Sequence, residues 1–459
     1  MPVQKFDVII IGSGQAGTPL AFKMAANYKK VAFIEKEHLG GTCLNVGCTP
    51  TKTYVASARR MWDVSHGEEL GIIIPAAAKL DLKRVKLRKD ELIKASVDGI
   101  KAGLEKNENI TFFKGEAKFT GNKKVQVNNI ELQADLIYIN VGTRPSVPDG
   151  FKGVDYLTNQ TLLELEEIPN HLIIVGGSYI GLEFGQMFRR FGSQVTIIER
   201  NPKIINREDE EVSDCILQIL KEEGIDFRLN ATCMKGSQNA DGTIKVSLDC
   251  TQGEPEIKGT HLLLAVGRQP NTDTLNLEAT GIKVNSRGYI EVNEYLETNV
   301  PGIYALGDCN GKGAFTHTAY NDYEIVAENR FEGKDRKVTD RILTYCLFVD
   351  PPLGRAGMTK KEALEKGYTI LESKRAMNRI ARAKEKGETK GFMSAIIDAK
   401  TNKILGASIL GIGGDEIISS ILNVMYAGEP YTLIRNAVHS HPTVSELIPT
   451  MLASPLKVN

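Results

Sequence analysis

The sequence predicts an α/β protein: two doubly wound units built on parallel sheets, followed by a third unit of α+β type. Three observations carry this reading. An apolar strand, a glycine-rich turn, a helix and a second strand ending in glutamate occur twice, starting near residues 6 and 172. In both copies the acid stands 23 positions after the first glycine, Gly12 to Glu35 and Gly176 to Glu199. From about residue 340 strands and helices still alternate, but without such turns. A chain of 459 residues suits about three domains at roughly 150 residues each.

Composition narrows the function. With 57 basic and 57 acidic side chains the formal charge is zero, which argues against a nucleic-acid binder and against electrostatic attachment to an anionic membrane. Hydrophobic usage of 42% with 25% charged residues is that of a globular protein, not a disordered one. The 43 glycines exceed the roughly 32 expected at about 7% usage, so positive φ or close backbone approach must be sought. Val8–Ile11 is too short for a signal-peptide core, and no segment approaches the ~20 apolar residues of a membrane span. A cytoplasmic protein is expected. Seven cysteines, an odd number, form no disulfide scaffold, and a close pair in that compartment points to redox chemistry.

The first copy runs from the strand at residues 6–11 through Gly12-Ser13-Gly14-Gln15-Ala16-Gly17 to the strand Val31–Ile34 and Glu35. Gly12 permits the tight turn, Gly14 lets backbone approach a pyrophosphate, and Gly17 allows close helix–strand packing. Phosphates rest on the helix N-terminus, and Glu35 suits an adenosine ribose. The second copy, Gly176-Gly177-Ser178-Tyr179-Ile180-Gly181 and Glu199, carries serine where the middle glycine belongs, which fits if φ there is negative. Apolar runs ending at Gly142-Thr143-Arg144-Pro145 and Gly267-Arg268-Gln269-Pro270 read as crossings between domains. Residues 303–308 repeat the strand-then-glycine form and end in Asp308.

The cysteine pair lies in Gly40-Gly41-Thr42-Cys43-Leu44-Asn45-Val46-Gly47-Cys48-Thr49-Pro50-Thr51-Lys52. Structural zinc prefers two to four intervening residues and a second pair, and plant-type iron–sulfur spacing needs a cysteine at position 51. No metal site is assigned. A redox disulfide fits better than two free buried cysteines. In a regular helix Cys43 and Cys48 would be separated by about 7.5 Å of rise, outside the roughly 4.4–6.8 Å disulfide window. The helix must therefore be distorted, and Gly47 and Pro50 suit that. Cys43 is expected near a helix N-terminus, where the dipole stabilises a thiolate.

Together these motifs resemble the flavoprotein pyridine nucleotide–disulfide oxidoreductases, in order and over nearly the whole chain. The resemblance implies two Rossmann-like domains, one binding FAD (residues 1–147 and 271–338) and one binding NAD(P)H (148–270), with a C-terminal α+β dimerisation domain (339–459). FAD would contact Gly12, Gly14, Gly17, Glu35, Gly41, Thr42, Lys52, Gly142, Thr143 and Asp308. The nicotinamide nucleotide, NADH on the strength of Glu199 with NADPH also possible, would contact Gly176, Gly177, Tyr179, Ile180, Gly181, Glu199 and Gly267. By the same resemblance Cys48 lies nearest the flavin and Cys43 attacks the acceptor. Lys52 pairs with Glu183, and Tyr179 gates the nicotinamide pocket. His441, oriented by Glu446, serves the partner subunit's thiols in a homodimer. Plainer readings stand beside these. Glu446, three residues after Thr443, could complete a capping box, and His439-x-His441 could hold a metal.

Within the family, the cysteine motif continuing TPTK and the Pro351-Pro352-Leu353-Gly354-Arg355 segment resemble the mercuric-reductase-like group, including the reactive-chlorine-resistance flavoprotein. Dihydrolipoamide dehydrogenase comes next, sharing CLNVGC and the HPTxSE ending. Glutathione reductase is disfavoured, because Glu199 would repel a 2′-phosphate. A mercuric reductase proper should carry an N-terminal GMTCxxC segment and a C-terminal vicinal cysteine pair, and neither is found here. The expected activity is hydride transfer from NAD(P)H through flavin to the Cys43–Cys48 pair, then on to a disulfide or a metal ion. The non-enzymatic alternative is a flavin-bound redox sensor.

Overall fold

The computed structural model describes residues 3–249 and 254–458. Its first parallel sheet has five strands in the order Ile303–Ala305, Leu136–Ile139, Val8–Ile11, Val31–Glu35, Ile110–Lys114. The central strand is apolar at every position because both faces of a parallel sheet are covered. Val8 and Ile10 pack with Leu20, Ala21 and Met24 of the Gly17–Ala26 helix. Ile9 and Ile11 point the other way, onto Phe119, Val125, Val127 and Leu132 of the strands Ala117–Gly121, Lys124–Val127 and Ile130–Gln133. Alternate side chains of one strand thus bind two layers.

The second copy builds the same plan. Its parallel sheet runs Asp226–Arg228, Gln194–Ile198, His171–Val175, His261–Leu264. The Tyr179–Phe191 helix covers one face. The strands Thr232–Gln238, Ile244–Asp249 and Glu256–Gly259 cover the other. These antiparallel covers in both copies are absent from the sequence-based reading, whose repeat ended at the glutamates. The two crossings pair with each other, Thr143–Pro145 antiparallel to Arg268–Pro270.

The C-terminal unit is the α+β layer expected. Six antiparallel strands, in the order Thr344–Leu347, Leu353–Gly357, Ile404–Leu410, Phe392–Asp398, Ile370–Ala376, Leu456–Lys457, carry the Gly414–Ala427 helix on one face. Asp350 ties this unit to the other two, accepting from Arg59 at 2.7 Å and from Arg190 at 2.5 Å. Among the described residues no helix is long and apolar enough to cross a membrane.

Candidate functional site

The two glycine loops superpose in their bonding. The first glycine has φ +100° at Gly12 and +114° at Gly176, a region open to glycine alone at little cost. In each copy its amide donates to the end of the second strand, Gly12 to Ile34 and Gly176 to Ile198, both at 2.8 Å. A Cβ on Gly17 or Gly181 would stand 2.0 Å from the carbonyl oxygen of Gly12 or Gly176, so only glycine lets helix and turn meet. Ser178 has φ −104°, which answers the departure from the motif.

Both acids turn inward as well. Glu35 accepts from the Ser13 amide at 2.9 Å and hydroxyl at 2.7 Å, and Glu199 accepts from the Gly177 amide at 2.7 Å and the Asn201 amide at 2.9 Å. Each carboxylate therefore shapes its own loop, a role the spacing did not reveal. Asn140 does the same from outside the motif: its Oδ1 accepts from the Gly17 amide and its Nδ2 donates to Leu306.

The first loop fits FAD. The amides of Gly14, Gln15 and Ala16 have no acceptor among the described residues, and they open a helix N-terminus, the donor set a pyrophosphate requires. Gly41 packs so close that a Cβ on it would lie 2.7 Å from the Gly14 Cα, which sets Gly41 and Thr42 at the loop. Gly142 (φ +63°) and Gly267 (φ +128°) turn the two crossings. Beside them the Thr143 hydroxyl donates to Asp308 at 3.0 Å and accepts from Arg268 at 2.8 Å. Burial pushes the Asp308 carboxyl up, opposed by Arg268 and Thr143.

The cysteine segment is where the structure corrects the sequence-based expectation. Gly41–Asn45 is a separate five-residue helix, the chain breaks at Val46–Gly47, and an 18-residue helix starts at Cys48. The required distortion is thus a break between two helices. It sits at Gly47, where a Cβ would lie 2.8 Å from the Thr42 carbonyl oxygen and 3.1 Å from the Cys43 Cα. Pro50 is only the third residue of the long helix, where its missing N–H has no partner to lose. Cys43 is the third residue of the short helix, and Cys48 occupies the N-terminus of the long one. The two stand as free thiols rather than as a closed disulfide.

A residue the sequence did not single out joins them. The Thr316 hydroxyl donates to the Cys43 Sγ at 2.9 Å and lies 3.2 Å from the Cys48 Sγ. The Cys43 hydrogen bond, then Thr316 and the Lys52 ammonium, hold the Cys48 thiol down at about 6, against burial and Glu183. The hydrogen bond to Cys48 and burial push the Cys43 thiol up. The opposite directions of the two shifts favour the thiolate at Cys48 and the thiol at Cys43.

Lys52, one turn after Cys48, donates to Glu183 Oε2 at 2.6 Å, and Glu183 Oε1 accepts from the Phe348 amide at 2.9 Å. Tyr179, Ile180 and Gly181 open the helix carrying Glu183. The Tyr179 ring packs 6.3 Å from Phe315 and 5.4 Å from Tyr345. A cleft of about 550 Å³ is lined by Thr316, His317, Tyr320, Glu324, Arg341 and Tyr426 among others.

His441 Nδ1 faces both oxygens of Glu446, at 3.0 and 3.1 Å. The Thr443 hydroxyl accepts from the Glu446 amide at 3.2 Å, so half of a capping box forms while the carboxylate goes to the histidine. The imidazole is exposed, and among the described residues it makes no hydrogen bond to either thiol of its own chain. No group of three or more His, Cys, Asp or Glu among the described residues is arranged to hold a metal ion, so His439 and His441 gain no further ligand.

A family model described as pyridine nucleotide-disulphide oxidoreductase matches residues 6–322, and its dimerisation-domain counterpart matches residues 343–452. The probable pyridine nucleotide-disulfide oxidoreductase RclA of Escherichia coli is 36% identical, over 97% of this chain and 98% of its own. Mercuric reductase of Staphylococcus aureus is 34% identical over 92% of this chain and 77% of its own length. Dihydrolipoyl dehydrogenase of Thermus scotoductus is 33% identical over 97% and 96%. Among solved structures, the Cu(II) complex of the HOCl-induced flavoprotein disulfide reductase RclA from E. coli superposes with a TM-score of 0.88 at 35% identity, covering 98% of this chain and 99% of that one.

Proposed function

The chain belongs to the pyridine nucleotide-disulphide oxidoreductases, as a mercuric-reductase-like NAD(P)H flavin oxidoreductase, and we propose that it uses NADH and passes electrons through Cys43 and Cys48 to a thiophilic acceptor, a disulfide or a soft metal ion. The observation that carries this is the meeting of both sulfurs on the Thr316 hydroxyl with Lys52 one turn beyond Cys48. The Cys43 hydrogen bond and these contacts draw the Cys48 thiol down, while its neighbour and burial push the Cys43 thiol up.

Bound FAD supplies the two-electron relay between the nicotinamide and the sulfur pair. The chain's residues do the rest. In the balance NADH is oxidised to NAD⁺, the Cys43–Cys48 S–S bond breaks, and the two sulfurs take up the electron pair with the one proton of the hydride, which leaves Cys43 a thiol and Cys48 a thiolate. Lys52, neutralised by Glu183, presents a donor one turn beyond Cys48. Thr316 steadies both sulfurs, so that Cys43 can leave as the attacking thiol once its proton is taken. The His441–Glu446 pair supports a proton acceptor that serves the partner subunit's thiols in a homodimer, since it lies free of its own. Glu199 supports NADH, because a 2′-phosphate would face its carboxylate.

The test is an anaerobic NADH titration of the FAD-loaded protein, followed by turnover with lipoamide, glutathione disulfide, Cu(II) and Hg(II). The expected result is a long-wavelength thiolate–flavin band that Cys48→Ser removes. If reduction leaves no such band, the proposal fails. The dihydrolipoamide dehydrogenase reading is favoured by the His441–Glu446 contact, and it requires His441→Ala to lose disulfide turnover. Metal-ion reduction, suggested by the RclA and mercuric reductase likenesses, should survive that change and be lost in Cys43→Ser.

A further inference from the structure

Glu208 is a buried acid that neither the motifs nor the proposed chemistry uses. Its side chain lies between the nucleotide-binding copy and the C-terminal sheet, and one of its oxygens, Oε1, is shared by two phenols. Tyr345 donates to it by a short hydrogen bond, and Tyr179 donates from 3.4 Å. The other oxygen, Oε2, has no hydrogen-bond partner among the described residues and lies 3.7 Å from Arg355 Nη1. Arg355 is the cross-strand neighbour of Tyr345, is buried, and also binds Asp209 at 2.8 Å. Glu208 is therefore pinned by the C-terminal sheet, and its position does not depend on Tyr179.

Tyr179 is pinned much less. Its hydroxyl makes the longer of two bonds to a shared oxygen, and its ring is tilted 44° against Tyr345. By contrast Tyr345 and Phe315 stack at 5.3 Å and 14°. Phe315 precedes Thr316, which touches both thiols, so Phe315 and Thr316 link the Tyr179 ring to the sulfurs.

We propose that Glu208 and Tyr345 form a tether on the Tyr179 phenol, through which the C-terminal sheet sets how readily that ring yields its place to the nicotinamide. The inference rests on Tyr179 being the gate of the nicotinamide pocket. Glu208 and Tyr345 are positioning residues, acting through Tyr179. A ligand that must displace a ring binds less tightly by the free energy holding that ring in place. Because the two phenols compete for one oxygen, their hydroxyls have opposite effects. Removing the Tyr179 hydroxyl frees the gate, and removing the Tyr345 hydroxyl leaves Oε1 to Tyr179 alone and tightens it.

The experiment is calorimetric binding of 1,4,5,6-tetrahydro-NAD, which cannot donate hydride, to the FAD-loaded protein. Tyr179→Phe should bind it about three- to tenfold more tightly and Tyr345→Phe more weakly by a similar factor, the net scale of one ordinary hydrogen bond. The double variant should match Tyr179→Phe alone, since no phenol remains to be tethered. Stopped-flow flavin reduction of Tyr345→Phe should show the same loss of affinity at an unchanged limiting rate. Unchanged or tighter binding by Tyr345→Phe, or additive effects in the double variant, overturns the tether. Tyr179→Ala separates the two ideas. If its affinity equals that of the parent, the gate itself is wrong and the tether falls with it. If its affinity changes while Tyr345→Phe is silent, only the tether is wrong.

Discussion

Lys52 Nζ lies 2.6 Å from Glu183 Oε2, joining the helix that starts at Cys48 to the helix that starts at Tyr179. The other oxygen of Glu183 holds the Phe348 amide, so one carboxylate binds three segments of the chain. Glu183→Ala leaves the Lys52 cation and a buried amide without their acceptor, at a cost of about 2–4 kcal/mol. Thermal unfolding of the FAD-loaded protein should start several degrees lower, and Glu183→Gln, which keeps an acceptor for Phe348, should lose less. Equal losses would place the energy in packing instead.

The Cys48 thiol, held at about 6, should be alkylated by iodoacetamide in the reduced protein with a midpoint near that pH. The causes rank Cys43 first, then Thr316, then Lys52, so Cys43→Ala should raise the midpoint most, Thr316→Val less and Lys52→Met least. The sign for stability follows from a folded value below the unfolded one. The thiolate's contribution is complete above about pH 9 and is lost as pH falls through about 6. Peptide-resolved mass spectrometry reads the midpoints, and an order reversed between Cys43→Ala and Lys52→Met would refute the assignment.

Gly47→Ala is a test of close approach at the break between the two helices. The added methyl would meet the Thr42 carbonyl oxygen and the Cys43 Cα. The protein should fold, but the two sulfurs should be forced apart and close to a disulfide more slowly under mild oxidant. Thiol titration with time measures this, and closure at the parent rate would show that the segment yields without loss.

Glu199→Gln removes the charge that disfavours a 2′-phosphate while keeping an acceptor for the Gly177 amide. If NADH is the donor as proposed, the ratio of kcat/KM for NADH over that for NADPH should fall by about tenfold, the scale of one charge–charge contact at a partly solvated site. A ratio that does not move would assign selectivity elsewhere, with Arg200 and Lys203 the nearest candidates.

Much of the site was legible because its signals are short in range. Gly12, Gly14, Gly17 and Glu35 sit within one strand–turn–helix–strand unit, and a second copy repeated the spacing. Cys43, Cys48 and Lys52 sit in one decapeptide. The error there has the same origin. One helix distorted at Gly47 or Pro50 was expected, with Cys43 near its N-terminus, whereas the break at Val46–Gly47 makes two helices and opens the longer one at Cys48. Thr316, Arg268, Asn140 and Glu208 were not legible at all. Each meets its partner from more than a hundred residues away, and none belongs to a repeat or a periodic face.

The order of residues alone marks the two glycine loops, the thiol pair and the α+β tail. Steric limits on φ, the two-residue period of a strand and the rise of a helix act over a few bonds and leave a mark in the string. Which sulfur holds the charge, what steadies the pair and which phenol competes for Glu208 depend on docking. These properties arise from burial and from bonds between segments that meet only when the sheets stack. The tertiary structure decides them because the field at Cys48 is made by Cys43, Thr316 and Lys52 together, and Thr316 reaches that place only through the fold.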